Sequence, residues 1–364
     1  MKNCPKCVLS PLALAIALLA ILTLLPATAG ASEIINPIFS AAGEPDEPTI
    51  LRLRWSTAVL ELPNGETRRL ELPENVQVHS AVGDTGGWWL AGRETLENRL
   101  GLWVGRLSLG ADPAEALSEH SVPDTTDRHL CELVLLTADG ELLGAAWFEG
   151  PNENSVAVRA ARFDEADGWS APETVAESAE GTQIALAGAA IADGSSAVVW
   201  SAFDGTDDEI LVSRWEGQSW SAPQRVADDN EVPDIVPAVA WVGSGADRVL
   251  TVSWSRYTPD GYTLHTTRWD GEAWRGQGAL TAPGTVFPTF DHLQGATLLT
   301  YRQALPRSWV VARLDADGRI EKQAVVADPD GLRPVALALD EKAVEVLPAT
   351  DGAEVQRLTW ETNR

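Results

Sequence analysis

A short phrase recurs along this chain at intervals of 45 to 56 residues. Its fullest copies, residues 162–172, 214–223 and 268–274, begin with Arg and an aromatic residue and pass through an acid–Gly step to a Trp. The Arg step also occurs at Arg54, Arg106 and Arg313, and Trp360 closes the series without an Arg. A repeat of this length in a strand-rich sequence is typical of a β-propeller, with one four-stranded blade per repeat.

The repeats predict an all-β, six-bladed propeller that occupies residues 33–364 as a single domain. Five blades are expected over 75–122, 128–176, the stretch around 184–220, 229–281 and 285–328. Residues 333–360 supply three further strands. We expect residues 67–72 or 50–55 to add the fourth, so that N- and C-terminal strands pair and close the ring. Because residues 33–72 could form most of a blade of their own, seven blades is the alternative.

The first 29 residues have the features of a cleaved export signal. Lys2 and Lys6 precede an apolar run from Leu9 to Leu25, and residues 27–29 offer a small-x-small cleavage pattern. We expect a periplasmic or secreted bacterial protein that does not insert into the membrane after cleavage. Two of the three cysteines leave with the leader, so no internal disulfide is expected.

The chain is strongly acidic. Its formal net charge is −26, and loss of Lys2 and Lys6 with an acid-free leader would make it −28. Such a surface repels nucleic acid and anionic lipid, which excludes both as expected partners.

The acid–Gly steps at 216–217 and 270–271 predict tight hairpins between third and fourth strands, and a Trp follows each glycine three residues later. Residues 167–168 carry a similar step. This arrangement resembles the Asp-box (BNR-type) hairpins of sialidase-like β-propellers, whose consensus is roughly Ser-x-Asp-x-Gly-x-Thr-Trp. Here Arg-Trp replaces the leading Ser-x. In that family the Asp-box is structural, so the resemblance implies a fold and no catalytic residue.

The Arg that recurs in the blades is predicted to be structural. A residue found at one strand position of every blade lies far from the propeller axis. It is therefore expected to pair with an acid or to stack on a neighbouring indole.

A ligand site is expected on one rim of the central tunnel, where loops join second to third strands and one blade to the next. Three arginines that follow second strands could grip a carboxylate bidentately. The candidate ligand-binding residues are Arg93, Glu94, Glu149, Asp204, Arg256, Tyr257 and Arg302.

Two functions follow from this rim. The first is non-catalytic binding of a glycan or a protein partner. The second is a glycoside hydrolase of sialidase type, since the resemblance implies an arginine triad, a Tyr–Glu nucleophile pair and an Asp acid/base. Tyr257 or Tyr301, Glu94 or Glu149, and Asp204 would then fill those roles. Tyr301 is also the expected counterpart of the core residues Trp200 and Trp254.

No cofactor and no transition-metal site are predicted, because the chain has five His and no HExxH motif. The acidic loops at 204–209 and 228–234 could hold Ca²⁺ through carboxylate oxygens or could be solvated surface acid.

Overall fold

The computed structural model describes residues 38–43, 48–54, 57–97, 100–110, 116–123, 125, 129–152, 155–177, 183–243, 247–293, 296–327, 333–348 and 354–362. The predicted leader lies outside them. Within those ranges no helix is long and apolar enough to cross a membrane.

The described strands form seven antiparallel sheets, most of them four-stranded. Blade 1 contains β1 (Ile38–Ala42), β2 (Thr49–Arg54), β3 (Thr57–Glu61) and β4 (Thr67–Glu71). Blade 2 contains β5 (Val76–Asp84), β6 (Gly87–Thr95), β7 (Leu100–Ser108) and β8 (Leu117–Glu119). Blade 3 contains β9 (His129–Ala138), β10 (Glu141–Asn152), β11 (Ser155–Asp164), β12 (Gly168–Trp169) and β13 (Glu173–Ala176).

The remaining blades follow the same plan. Blade 4 contains β14 (Gln183–Ala190), β15 (Ser196–Phe203), β16 (Asp208–Arg214) and β17 (Gln224–Arg225). Blade 5 contains β18 (Asp234–Val242), β19 (Val249–Arg256), β20 (Thr263–Trp269) and β21 (Trp274–Ala279). Blade 6 contains β22 (Thr285–Leu293), β23 (Ala296–Gln303), β24 (Ser308–Leu314), β25 (Ile320–Ala327) and the late strand β29 (Glu361–Thr362). Blade 7 contains β26 (Val335–Leu339), β27 (Ala343–Leu347) and β28 (Gln356–Thr359).

The prediction of six blades is wrong, because the N-terminal strands form a complete sheet instead of adding one strand to the last blade. β1 to β4 pair in sequence order as blade 1. The C-terminal β29 pairs with β25 of blade 6, so blade 7 keeps three strands among the described residues. Among the described residues the ring therefore closes between two separate sheets, and none of their strands is exchanged between the ends of the chain.

Apolar clusters join the blades around the ring. The first strand of each blade contacts the first strand of the next, which places these strands around the axis. Within the described ranges there are seven buried clusters, and each is shared by two neighbouring blades. The cluster between blades 7 and 1 is the smallest, with Ile50, Leu337 and Leu347 at its centre. We call this cluster the closing seam.

Buried aromatic residues on second strands fill four of the blade interfaces. Trp147, Trp200 and Trp254 are fully buried, and Tyr301 takes the same place in blade 6, as expected from the sequence. Opposite each of them the innermost strand carries a β-bulge, where two residues face one. The first bulged residue has a positive φ in all four blades: Glu132, Ala185, Val236 and Phe287.

The hairpins between third and fourth strands agree with the sequence analysis. Gly217 and Gly271 have φ values of 87° and 103°, which tight turns require. Trp215 packs on Trp220 with ring centroids 5.7 Å apart, and Trp269 packs on Trp274 at 5.5 Å.

Three of the recurring arginines tie one blade to the next, and Arg106 instead pairs with Asp84 of its own blade 2 at 2.6 Å, as predicted for a structural role. Arg162 of blade 3 lies 5.3 Å from the Trp215 ring of blade 4, and Arg214 of blade 4 lies 3.6 Å from the Trp269 ring of blade 5. Arg268 of blade 5 instead pairs with Asp317 of blade 6 at 3.3 Å. These contacts place the side chains between outer strands and away from the axis.

Candidate functional site

A cluster of charged side chains lies on the rim between blades 4 and 5. It is built from the loop between β15 and β16, the first residues of β16, and the segment 226–233 that leads from β17 to β18. We call it the rim cluster. Its acids are Asp204, Asp207, Asp208, Glu209, Asp229 and Asp234, and its cations are Arg225 and Arg256.

Asp204 shapes the loop that carries the cluster. Its Oδ1 accepts hydrogen bonds from the amides of Thr206 at 2.8 Å and Asp207 at 3.3 Å. Gly205 has a φ of 106°, so the turn needs a residue without Cβ there. Arg225 Nη2 donates to Asp204 Oδ2 at 2.6 Å. The Thr206 amide is the largest cause that lowers the pKa of Asp204, which stays ionised at the surface.

Asp234 and Arg256 form a bidentate ion pair in the interior. They face each other in register on β18 and β19, and Asp234 is fully buried. Arg256 Nε donates to Oδ1 at 2.7 Å and Nη2 donates to Oδ2 at 2.6 Å. The hydrogen bond to Asp234 is the largest cause that raises the pKa of Arg256. The Arg256 guanidinium is therefore bound by an acid of its own blade.

Three consecutive acids are buried without matching compensation. Asp207 is 5% exposed, Asp208 3% and Glu209 1%. Neither carboxylate oxygen of Asp207 has a hydrogen-bond partner within the part of the chain that the structure describes, and the same holds for Glu209 Oε2. Burial, followed by neighbouring acids, raises the pKa of Asp207 to about 6; burial and Asp204 do the same for Asp208. Burial raises the pKa of Glu209 to about 7 against the opposing effect of Arg225.

Two tyrosines stand at the edge of the rim cluster. Tyr257 follows Arg256 directly, and its ring is 46% exposed. It contacts Tyr262 edge to face, with the ring centroids 5.6 Å apart. The Tyr257 amide donates to the Pro233 carbonyl at 3.0 Å, which fixes the residue beside the segment that carries Asp229. Asp208 contributes to the raised pKa of Tyr262, after burial and Tyr257, so the pair adjoins the acids.

The same rim carries exposed apolar residues. Leu305, in the loop between β23 and β24, is 86% exposed, and Val355, before β28, is 50% exposed. Together with Tyr257 they occupy corresponding loops of blades 5, 6 and 7. Exposed large side chains on successive loops indicate a contact surface more strongly than scattered ones do.

The structure brings together three of the predicted ligand residues: Asp204, Arg256 and Tyr257. The others lie on other blades. Arg93 of blade 2 donates to Gln77 Oε1 through Nε at 2.9 Å and Nη2 at 2.6 Å, while Glu94 accepts from Asn75 at 2.9 Å.

Glu149 of blade 3 is buried and accepts from the Trp147 indole at 2.8 Å. Arg302 of blade 6 is half-buried and stands opposite Val286 in register. Each of the three arginines stands across from the innermost strand of its own blade. Arg302 directly follows the core residue Tyr301, whereas Arg256 stands two residues after Trp254, so these two positions differ by one residue.

Sequence reasoning did not single out Arg225 and Tyr262. Arg225 lies on the short outer strand β17 and shows no motif. The signal for the rim cluster was the run of acids at 207–209, because β16 begins there and a strand position buries its side chains.

A groove of about 410 Å³ lies between the third-to-fourth-strand hairpins of blades 5 and 6, on the opposite rim. Arg268, Arg275 and Arg319 line it together with Asp270 and Asp317. Asp317 pairs with Arg268, and Asp270 pairs with Arg275 at 2.8 Å. Two of its cations are thus neutralised within the groove, and the rim cluster is the stronger candidate.

No family model and no curated protein matches this sequence. Solved structures do match it at low identity. Virginiamycin B lyase from Staphylococcus aureus is 12% identical with a TM-score of 0.51, over 91% of this chain and 97% of that one. The Aleuria aurantia lectin, solved with alpha-methyl-L-fucoside, is 11% identical with a TM-score of 0.47, over 82% and 98%.

A puromycin-hydrolyzing peptidase of Mycobacterium tuberculosis is 15% identical with a TM-score of 0.49, over 85% of this chain. The present chain spans 49% of that peptidase and 51% of prolyl oligopeptidase B from Galerina marginata. The likeness to the lyase, with a TM-score above 0.5, shows the β-propeller fold and nothing about activity. The predicted β-propeller is thus confirmed, and these matches do not support the sialidase-like, Asp-box part of the predicted resemblance.

Proposed function

We propose that this chain is an exported, non-catalytic β-propeller that binds a glycan on the rim between blades 4 and 5. The observation that carries the proposal is the exposed Tyr257 ring beside a cluster with more carboxylate acceptors than protein donors. An aromatic ring can pack against the C–H face of a sugar, and carboxylates accept hydrogen bonds from its hydroxyls.

The surface members of the rim cluster are the expected contacts. Asp204 and Asp229 keep 26% and 71% of their side chains exposed, so both can reach a bound sugar. Arg225 bridges the two and limits their movement. A fixed pair of acceptors next to one aromatic ring suits a small number of sugar units at the end of a chain.

Binding is favoured over hydrolysis of the sialidase type by the pairing of the arginines. Arg256 is bound bidentately by buried Asp234, and Arg93 is bound by Gln77 on another blade. Neither guanidinium is thus available for a substrate carboxylate. The acids of the rim cluster with raised pKa values, Asp207, Asp208 and Glu209, are too deeply buried to touch a glycosidic bond.

The test is a glycan array with the purified protein, followed by titration of the best ligand. Tyr257→Ala should weaken binding at least tenfold, which corresponds to about 1.4 kcal/mol. Leu305→Ala, on the same rim but on blade 6, is the matched control and should bind as the parent does.

Turnover of fluorogenic glycosides, sialosides included, is the opposing result. If the protein hydrolyses one of them and an Arg256→Ala, Arg302→Ala double variant does not, the non-catalytic proposal is wrong.

A protein partner is the second candidate, and the exposure of Leu305 and Val355 is the observation that favours it. In that case the variants at Leu305 and Val355 should weaken binding. Leu305→Ser combined with Val355→Ser would abolish binding of a partner captured on the rim, while glycan binding would be absent from the parent protein.

A further inference from the structure

The deepest part of the rim cluster has the composition of a cation site. Asp204, Asp207 and Glu209 each offer a carboxylate oxygen, and these oxygens lie within 4.8 Å of one another. Two oxygens bound to one Ca²⁺ at 2.3–2.6 Å cannot stand much further apart than about 5 Å. The three groups can therefore reach a single ion.

Unpartnered oxygens point to the same conclusion independently. Asp207 is buried, yet neither of its oxygens has a hydrogen-bond partner in the described residues, and Glu209 Oε2 has none either. A buried carboxylate without a partner is costly, because it loses the hydrogen bonds of water and gains nothing in return. Proteins resolve such a cost with a proton or with a cation.

The charge balance favours a divalent cation over a proton alone. Six carboxyls of the rim cluster face two guanidiniums, Arg225 and Arg256, so full ionisation leaves four negative charges. Arg256 is occupied by Asp234, and Arg225 lies toward Asp204 and Asp229, with its Nη1 3.6 Å from Glu209 Oε1. The remaining negative charge is concentrated around Asp207 and Glu209.

We propose that Asp204, Asp207 and Glu209 bind one Ca²⁺ on the rim between blades 4 and 5. Every ligand atom is a carboxylate oxygen, which hard cations prefer, and no His or Cys belongs to the group of three. Ca²⁺ tolerates irregular coordination and takes six to eight oxygens, so water or main-chain carbonyls complete its shell. The ion ties the loop after β15 to the start of β16.

This site shares Asp204 with the proposed glycan contacts but rests on the buried oxygens of Asp207 and Glu209. The glycan proposal rests instead on the exposed ring of Tyr257. Tyr257→Ala is accordingly expected to leave Ca²⁺ binding unchanged.

The test is isothermal titration of the chelator-treated full protein with CaCl₂, together with thermal unfolding in EGTA and in about 5 mM Ca²⁺, above the 10⁻⁴–10⁻³ M dissociation constants of weak extracellular sites. We expect one ion per chain and a rise in Tm of several degrees. Binding near pH 6.5 should also release protons, seen as a heat that depends on the buffer.

Asp207→Asn and Glu209→Gln are the diagnostic variants, and Asp260→Asn, an exposed acid on the same rim, is the matched control. Each diagnostic variant should bind Ca²⁺ at least tenfold more weakly than the parent and should lose the rise in Tm on Ca²⁺ addition. Its Tm in EGTA should equal or exceed that of the parent, because an unpartnered charge has been removed. That second readout shows that the variants fold. Absence of Ca²⁺ binding in the parent, retention of full binding in both variants, or an equal response to Mg²⁺ would each overturn the assignment.

Discussion

At the scale of single residues, the acids at 207–209 show how position decides protonation. Asp204 lies three residues before Asp207 at the surface, accepts hydrogen bonds from two backbone amides and has a lowered pKa. Asp207 directly precedes β16 and Glu209 lies in it; both are buried and have raised pKa values. The same carboxylate group thus stabilises a turn at Asp204, whereas at Asp207 and Glu209 its ionised form is unfavourable.

The stability of the protein should fall as the pH rises through the range in which Glu209 titrates. Its pKa is about 7 when folded against 4.5 ordinarily, so the folded state holds the extra proton and gains stability below about pH 4.5. That gain, about 3.5 kcal/mol at about 1.4 kcal/mol per pKa unit, is lost by pH 7 and above. The charged groups that act on Glu209 are Arg225, Asp234, Asp207 and Arg256, and Asp204 lies beside it.

Urea unfolding in EGTA at several pH values between 4.5 and 8 measures this slope. Glu209→Gln should flatten it, because the variant has no proton to lose there. A parent protein that gains stability over this range as the pH rises would contradict the prediction, since other groups would then dominate.

The stacked arginines make a second residue-scale prediction. Arg214→Ala should lower the free energy of unfolding by about 1–2 kcal/mol, because it removes both the cation–π contact with Trp269 and the apolar stem between two blades. Arg319→Ala, an exposed Arg on blade 6, should change it by less than about 0.5 kcal/mol. Urea denaturation of both variants gives the comparison; equal losses would mean that the stacking contributes nothing particular.

At the scale of strands and hairpins, the sequence predicted what depends on local chemistry. The turns at Gly217 and Gly271, the aromatic pairs beside them and the core position of Tyr301 all follow from spacing and residue type. The bulges opposite the core aromatics could not be foreseen. Their positive-φ residues are Glu132, Ala185, Val236 and Phe287, and none is the glycine that would mark such a conformation.

The prediction of six blades was wrong for a related reason. Three strands near the C-terminus and several near the N-terminus are compatible with one shared sheet or with two sheets, because strand propensity does not encode partners. The deciding contacts are tertiary: β1 to β4 pair among themselves, and Ile50 packs against Leu337 and Leu347 across the seam.

The closing seam should be the weakest element contact of the ring. Leu347→Ala removes one of its three central side chains and should cost about 2–4 kcal/mol, within the range for Leu→Ala in cores. Val325→Ala on β25, where the side chain is 42% exposed, is the control and should cost less than about 1 kcal/mol. Calorimetry of the two variants tests this, and a loss no larger than that of the control would show that other contacts hold the ring.

At the scale of the whole molecule, the net charge affects the stability of the folded state. A net charge of −26 makes the folded state repel itself, and salt screens this repulsion over a Debye length of about 10 Å at 0.1 M. The Tm should therefore rise by a few degrees between low salt and about 0.5 M NaCl, equally in KCl. Differential scanning calorimetry measures it; a falling Tm would mean that the ion pairs outweigh the repulsion.

How far the candidate site could be predicted from the sequence depends on the arrangement of the whole propeller. Asp204, Arg256 and Tyr257 lie near one another because loops of a radial repeat gather at one end, and their role in binding stays a prediction. Whether an Arg faces solvent or a partner depends on what stands across from it. Asp234 stands 22 residues before Arg256, and Gln77 stands 16 before Arg93, at distances set by loop lengths rather than by any motif.

The closing seam has one more consequence, which concerns descent. The sheets of blades 1 to 5 each consist of strands that are consecutive in the chain. Genetic recombination within the segments that connect these blades would therefore insert or delete one whole blade. A ring fastened by an exchanged strand would need two distant edits to change its number of units. Here a single duplication suffices, and the weak seam would accommodate the altered circumference, so relatives with a different number of units are a natural expectation.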